Sequence, residues 1–160
     1  MMTLNDLTVK FDQLERTTIL SEWEWMLKEQ YLPILITASG DAFIQNLIDD
    51  SICWLGTAGA ELEDIADSYD EFVELLNNKE FVVDYFMVQM VGDLIQSGKS
   101  LEAGQIYSLT KPYLLGGSFK LENIEATDIS VHFSLTGQIA DQVSNLPDGT
   151  NVDRVVVSES

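Results

Sequence analysis

A nucleophilic centre needs a base within hydrogen-bond reach of Ser or Cys, and the one histidine of this chain, His132, would have to supply it. The one thiol, Cys53, lies inside the apolar run Ile52-Cys53-Trp54-Leu55, the setting of a small core residue rather than of a thiolate. His132 reads as a hydrogen-bonded residue on the polar face of a strand, with general-base or ligand roles less favoured. Without a second His or Cys no zinc site is expected. Gly56-Thr57-Ala58-Gly59 lacks the Lys and Ser/Thr of a P-loop, and Gly116-Gly117 does not fit the dinucleotide fingerprint. Paired carboxylates such as Glu63 and Asp64 have the groups for acid–base work, but they are also the ordinary furniture of a solvated surface, and no EF-hand spacing accompanies them. These residues therefore point to no catalytic set, no metal and no cofactor.

Charge is the stronger signal. Eight Lys and Arg stand against 27 Asp and Glu, a formal net charge of −19 at pH 7. Nucleic acid is excluded as a natural partner because duplex binding depends on Lys and Arg displacing counterions from phosphates, and anionic membranes are disfavoured for the same reason. The charge is uneven: residues 1–80 hold 17 acids and 4 bases, and residues 81–160 hold 10 acids and 4 bases. Seven acids fall within 61–74, namely Glu61, Glu63, Asp64, Asp67, Asp70, Glu71 and Glu74. Such a field raises the encounter rate with a basic protein partner, or else only maintains solubility. The binding reading gains if these acids share a surface with Asp49 and Asp50.

A length of 160 residues with 46% hydrophobic side chains fits one folded domain. A lone cysteine forms no intrachain disulfide. The N-terminal MMTLNDLTVKFDQLER lacks a basic n-region and an apolar h-region, and no stretch reaches the roughly 18 apolar residues of a membrane span, so the expected location is the cytoplasm.

The elements that must position these residues follow from periodicity and turn chemistry. Leu4, Leu7, Phe11 and Leu14 predict a helix over 3–15 with Thr3 as N-cap. An amphipathic stretch at 22–30 precedes Pro33, and short apolar runs at 34–38, 43–48, 52–55 and 61–65, separated by Gly or Asp clusters, predict an antiparallel meander. Ser68 and Glu71 form a capping-box pair for a helix over 69–77, and a longer helix is expected over 79–97, ended by Gly98. Strands are expected at 105–109, 118–121, 129–136 and 152–157, and a short helix at 138–145. The third of these strands rests on Ile129, Val131, Phe133 and Leu135 alternating with Ser130, His132, Ser134 and Thr136. The expected fold is α+β: a single domain with a mainly antiparallel sheet, a meander of short strands, packed against helices.

The order of local motifs carries a resemblance. Gly40-Asp41 before Phe43, Ile65-Ala66-Asp67-Ser68 leading into Glu71-Phe72, then Leu101, Gly104-Gln105, Pro112, Leu115-Gly116-Gly117, Asn123, Val131-His132-Phe133, Gly137-Gln138-Ile139 and Leu146-Pro147-Asp148-Gly149-Thr150 recur together. Over about residues 22–157 the chain resembles a bacterial domain family named after the C-terminal domain of an immunity protein against a type VI secretion DNase effector. The region 1–21 is then an N-terminal helix and connection, and 158–160 a tail. The resemblance implies a binding protein rather than an enzyme, one that neutralises a cognate toxin by association, and the acids at 61–74 add the expectation that the bound surface is basic, such as a nuclease's nucleic-acid cleft. It also singles out Gly40, Asp41, Pro112, Gly116, Gly117, Asn123, His132, Gln138, Pro147 and Gly149. Their glycines suit turns with unusual backbone angles, and their prolines stiffen loops. Two alternatives stay open: a small-ligand binding module or an undetected enzyme using Asp41, Asn123 and His132 in a pocket, and a housekeeping interaction domain that forms a homodimer.

Overall fold

The computed structural model describes residues 2–147 and 156–158. The elements in chain order are α1 (Leu4–Leu7), β1 (Thr8–Val9), α2 (Arg16–Ile19), β2 (Tyr31–Thr37), β3 (Ala42–Asn46), β4 (Ile52–Gly56), β5 (Glu61–Ala66), α3 (Tyr69–Leu76), α4 (Lys79–Phe86), α5 (Val88–Gln96), β6 (Gln105–Leu109), β7 (Ile124–Asp128) and α6 (Ile129–Ser144). Strands β1 to β5 form one antiparallel sheet in sequential order, and β6 pairs with β7 in a second, two-stranded one. The architecture is α+β, with the meander the turn chemistry predicts.

Alternation along the central strands sends side chains into two cores, one on each side of the larger sheet. On one side Ile36, Ala42, Ile44, Cys53 and Leu55 pack with Trp23, Leu27, Ile129, Phe133 and Ala140. On the other, Ala38, Phe43, Ile52 and Ala66 pack with Phe72, Phe81, Phe86, Val91 and Leu94. Phe43 anchors the second core, with ring centroids 4.9 Å from Phe72, 5.9 Å from Phe81 and 5.5 Å from Phe86. Each such ring contributes about 2 kcal/mol by leaving water.

Helix α3 starts as its capping residues require: Ser68 Oγ accepts from the Glu71 N–H at 3.2 Å, and the Glu71 carboxylate accepts from the Asp67 N–H at 3.0 Å. Gly98 has φ +93°, and the Lys99 N–H returns to the Leu94 carbonyl at 3.0 Å, closing α5 in a Schellman arrangement. Among the described residues no helix is long and apolar enough to cross a membrane.

Four expectations are corrected. The helix over 3–15 is one turn long, because Thr8 and Val9 leave it to pair with Thr37 and Ile36 at the sheet edge. The helix over 79–97 is two helices broken at Met87 (φ 49°), which lets Phe81 and Phe86 of α4 and Val91 and Leu94 of α5 enter the same core. Residues 118–121 are not a strand; a 3-10 turn at Leu121–Asn123 leads into β7 instead.

The alternating run at 129–136 lies in helix α6, which also absorbs the short helix expected at 138–145. Ile129, Phe133 and Gly137 satisfy both a two-residue and a four-residue spacing, and Ala140, seven residues after Phe133, continues only the helical one. Val131 and Leu135, inward on a strand, are 44% and 37% exposed on the helix. Packing fixes the choice: a Cβ on Gly137 would lie 2.6 Å from the Glu22 carbonyl oxygen, so glycine brings α6 against the turn at Ser21–Trp23. There the Trp23 and Trp25 indole N–H groups donate to the Phe133 and Gly137 carbonyls at 3.1 and 3.2 Å. Of the strand expected at 152–157, residues 152–155 lie outside the described residues, as does Gly149.

Candidate functional site

The first turn of α6 carries His132 into the interior, where its ring touches three separate segments. Nε2 lies 2.8 Å from the Gly40 carbonyl, which only accepts, so Nε2 bears the proton and donates it. Thr57 Oγ1 sits 3.0 Å from the same nitrogen, and Nδ1 accepts from the Ser108 hydroxyl at 2.8 Å. Burial pushes the imidazole down to about 4, against the pull of the Gly40 carbonyl. His132 is therefore neutral at pH 7 with both nitrogens engaged, the state of a cross-brace rather than of a general base. Gly40 is required twice over: its φ is +92°, and a Cβ there would lie 2.6 Å from His132 Nε2.

Asp41 joins this network through Thr57. Its Oδ1 accepts from the Thr57 N–H at 2.9 Å and the Thr57 hydroxyl at 3.3 Å, and its own N–H donates to Thr37 Oγ1 at 3.0 Å. The side chain is buried, and desolvation raises its carboxyl to about 7, opposed by the Thr57 bonds and aided by the charge of Glu61.

The two buried groups give opposite slopes of stability against pH. Asp41, raised from 3.8 to about 7, retains its proton in the fold after the unfolded chain has lost it, so its contribution falls as pH rises through that window. His132, lowered from 6.5 to about 4, is neutral in the fold while the unfolded chain is protonated, so its contribution grows from about pH 4 and levels off above 6.5. In the wild type these offset. Asp41→Asn removes the falling arm, and urea unfolding of this variant should show stability rising from pH 4 to 6.5 and exceeding the wild type above pH 7, by on the order of 3 kcal/mol. Parallel profiles for the two proteins would contradict this assignment.

Beside the network lies a cavity of about 240 Å³ whose polar wall includes Thr57, Ser108 and His132. Tyr107, Tyr113, Leu114, Phe119, Val131 and Leu135 supply much of its apolar wall, with the Tyr113 and Phe119 rings 5.6 Å apart. The loop that closes it is built from the motif residues. Pro112 precedes a 3-10 turn at Tyr113–Leu115, and Gly116 follows it with φ +93°. Asn123 straps the loop: Oδ1 accepts from the Lys111 N–H at 2.9 Å, while Nδ2 donates to the Lys111 and Ser118 carbonyls at 3.1 and 2.8 Å. Asn123 does not line the cavity and its amide is used up in the loop. Gln138 holds Ser158 against α6, accepting from its N–H at 2.8 Å and donating to its carbonyl at 3.0 Å. Pro147 is exposed beyond the end of α6.

The acidic residues divide into two groups. Asp64, Asp67 and Glu71 surround a recess of about 320 Å³ together with Asp49, and Asp70 and Glu74 are exposed on the adjoining α3. Asp50 is exposed in the turn between β3 and β4. Glu61 and Glu63 lie elsewhere, because β5 alternates: Glu63 stands opposite Trp54, whereas Asp64 stands opposite Cys53 on the other face. Cys53 is buried and donates to the Asp64 carboxylate at 3.4 Å, and desolvation with that bond pushes its thiol up to about 11. Among the described residues no group of three or more His, Cys, Asp or Glu is placed to hold a metal ion. Thr57 and Ser108, the links of the buried network, carry no sequence signal, since both act through partners far away in the chain.

Residues 66–140 match the family model described as T6SS immunity protein Tdi1, C-terminal, the type VI secretion family that the sequence motifs resemble. None of the curated proteins matches the chain. The matched span is narrower than 22–157. It takes in the acids of α3 together with Pro112, Gly116, Gly117, Asn123, His132 and Gln138, and leaves Gly40 and Asp41 before it.

Proposed function

We propose that the chain is a non-enzymatic, cytoplasmic inhibitor of a type VI secretion effector or related bacterial toxin, and that its acidic surface binds a basic surface of that partner. The observation that carries this reading is the family match over 66–140, which begins just before Asp67, Asp70, Glu71 and Glu74. These acids are exposed, and with Asp49 and Asp64 nearby they present a field of one sign. A nuclease holds phosphates with cationic residues, so an acidic protein seated over its cleft competes directly with substrate. The engaged nitrogens of His132 and the raised thiol of Cys53 agree with action by binding alone.

The test is charge reversal on α3 and the residue before its cap. Asp67, Asp70 and Glu74 are replaced by Lys, and Glu71 is kept because its carboxylate caps the helix start. The association rate with the effector should fall about 10- to 100-fold at low salt, with the difference shrinking as salt is raised. An unchanged rate removes this surface from the mechanism. A second reading, a small-ligand binding module, is favoured by the cavity of about 240 Å³ beside His132. A compound that raises the melting temperature and shifts the resonances of Tyr107 and Ser108 would support it.

A further inference from the structure

Among the residues lining the cavity of about 240 Å³ beside His132, Tyr113, Phe119, Val131 and Leu135 are large apolar side chains left exposed, whereas Thr57 and His132 are buried and Ser108 is half-buried. The cavity runs from an apolar rim to a polar floor. We propose that it binds a free, planar aromatic molecule carrying one N–H or O–H group, of the indole or phenol class, with that group donating to the Ser108 hydroxyl oxygen; this rests on the small-ligand reading above and is independent of the inhibitor reading.

The direction of the hydrogen bonds selects the ligand. The Gly40 carbonyl only accepts, so His132 Nε2 holds the ring's proton, Nδ1 must accept, and the Ser108 hydroxyl spends its one proton on Nδ1 at 2.8 Å. Thr57 likewise donates its hydroxyl proton to the Gly40 carbonyl at 2.8 Å. What both hydroxyls still offer is lone pairs, and no group among the described residues donates to Ser108 Oγ. The polar floor therefore accepts from a donor and repels an acceptor. Charge and shape narrow the class further. With His132 neutral, Glu125 is the only charged residue in the lining, and it is exposed, so nothing there balances a phosphate or a carboxylate. The Tyr113 and Phe119 rings, 5.6 Å apart and tilted by 38°, offer faces and edges to a third ring. A dry cavity of about 150 Å³ takes up benzene, so one of about 240 Å³ has room for a fused bicycle. Asn123 fastens both ends of the covering loop, at Lys111 and Ser118, so a ring attached to a polypeptide backbone would have to lift a strapped loop, whereas a free molecule would not.

The probes are indole and benzofuran, which differ chiefly in the exchange of an N–H donor for an acceptor oxygen, titrated into the full chain and followed by methyl NMR. Indole should shift the Val131 and Leu135 resonances saturably, leave those of Val73 on α3 in place, and bind about tenfold more tightly than benzofuran. Ser108→Ala should bring the two affinities together. Because that ratio compares two ligands on one folded protein, a general loss of stability does not move it. Phe119→Ala, changed at an exposed side chain, should weaken both ligands alike. N-acetyltryptophanamide, the same ring on a peptide unit, should bind more weakly than indole; equal or tighter binding overturns the free molecule as the occupant. Equal affinities for indole and benzofuran in the wild type, or an unchanged ratio in Ser108→Ala, overturn the donor assignment while leaving the cavity a ligand site. No shift with either ligand overturns the small-ligand reading together with the proposal.

Discussion

Replacement of His132 by alanine is expected to lower folding stability by about 3–5 kcal/mol and the melting temperature by roughly 10 °C. The ring is buried, and it joins α6 to the β2–β3 turn through Gly40, to the end of β4 through Thr57, and to β6 through Ser108. Truncation leaves a void of imidazole size and strands the Ser108 hydroxyl, while the Gly40 carbonyl keeps only the bond from Thr57 at 2.8 Å. An unsatisfied buried group costs about 1–3 kcal/mol, and the void adds a packing loss of similar size. His132→Phe separates the two, since it refills the space without restoring the bonds. Urea unfolding should rank wild type above His132→Phe and that variant above His132→Ala. A loss below about 1 kcal/mol in the alanine variant would mean that the brace does not hold the helix.

The second large effect belongs to Gly117. A Cβ added there would lie 1.8 Å from the Lys111 carbonyl oxygen, 2.7 Å from the Lys111 carbonyl carbon and 2.9 Å from the Pro112 carbonyl oxygen. All three are backbone atoms, so no side-chain rotation relieves the clash, and the Gly117 N–H bond to Pro112 at 2.9 Å must break as the turn opens. Gly117→Ala should therefore cost about 3–4 kcal/mol, or release the loop that walls the cavity beside His132. Its neighbour is the control. Gly116 has φ +93° but only the Lys111 side chain within 4 Å, so Gly116→Ala should cost about 1 kcal/mol through backbone strain alone. Equal losses at the two positions, read by thermal unfolding, would overturn this distinction. The glycine pair thus serves two needs, a left-handed turn at one residue and close approach at the next.

Much of the sheet was legible because its signals are local. Turn residues bound every strand of the meander, and Ser68, Glu71 and Gly98 mark helix ends through bonds spanning only a few residues. Helix α6 was not, because an alternation of eight residues is too short to separate the two periods where Ile129 and Phe133 fit both; Gly137 against Glu22 decides it, a contact between distant segments. The site shows the same limit. Asp41 and His132 each stand out in the sequence, yet what joins them is Thr57, with Ser108 completing the network across 24 residues of chain. The acids at 61–74 read as one patch, but strand alternation in β5 sends Glu61 and Glu63 to one side of the sheet and Asp64 to the other.

The most direct test of the account is capture of the tagged chain's partner from its native host at low and high salt, followed by expression of the recovered protein alone and together with this chain. The account predicts a basic protein held at low salt and released at high salt, toxic when expressed alone, with growth restored by the wild-type chain and less well by the variant with Lys at 67, 70 and 74. A partner whose toxicity the chain does not relieve, or whose capture is indifferent both to salt and to charge reversal, would contradict it.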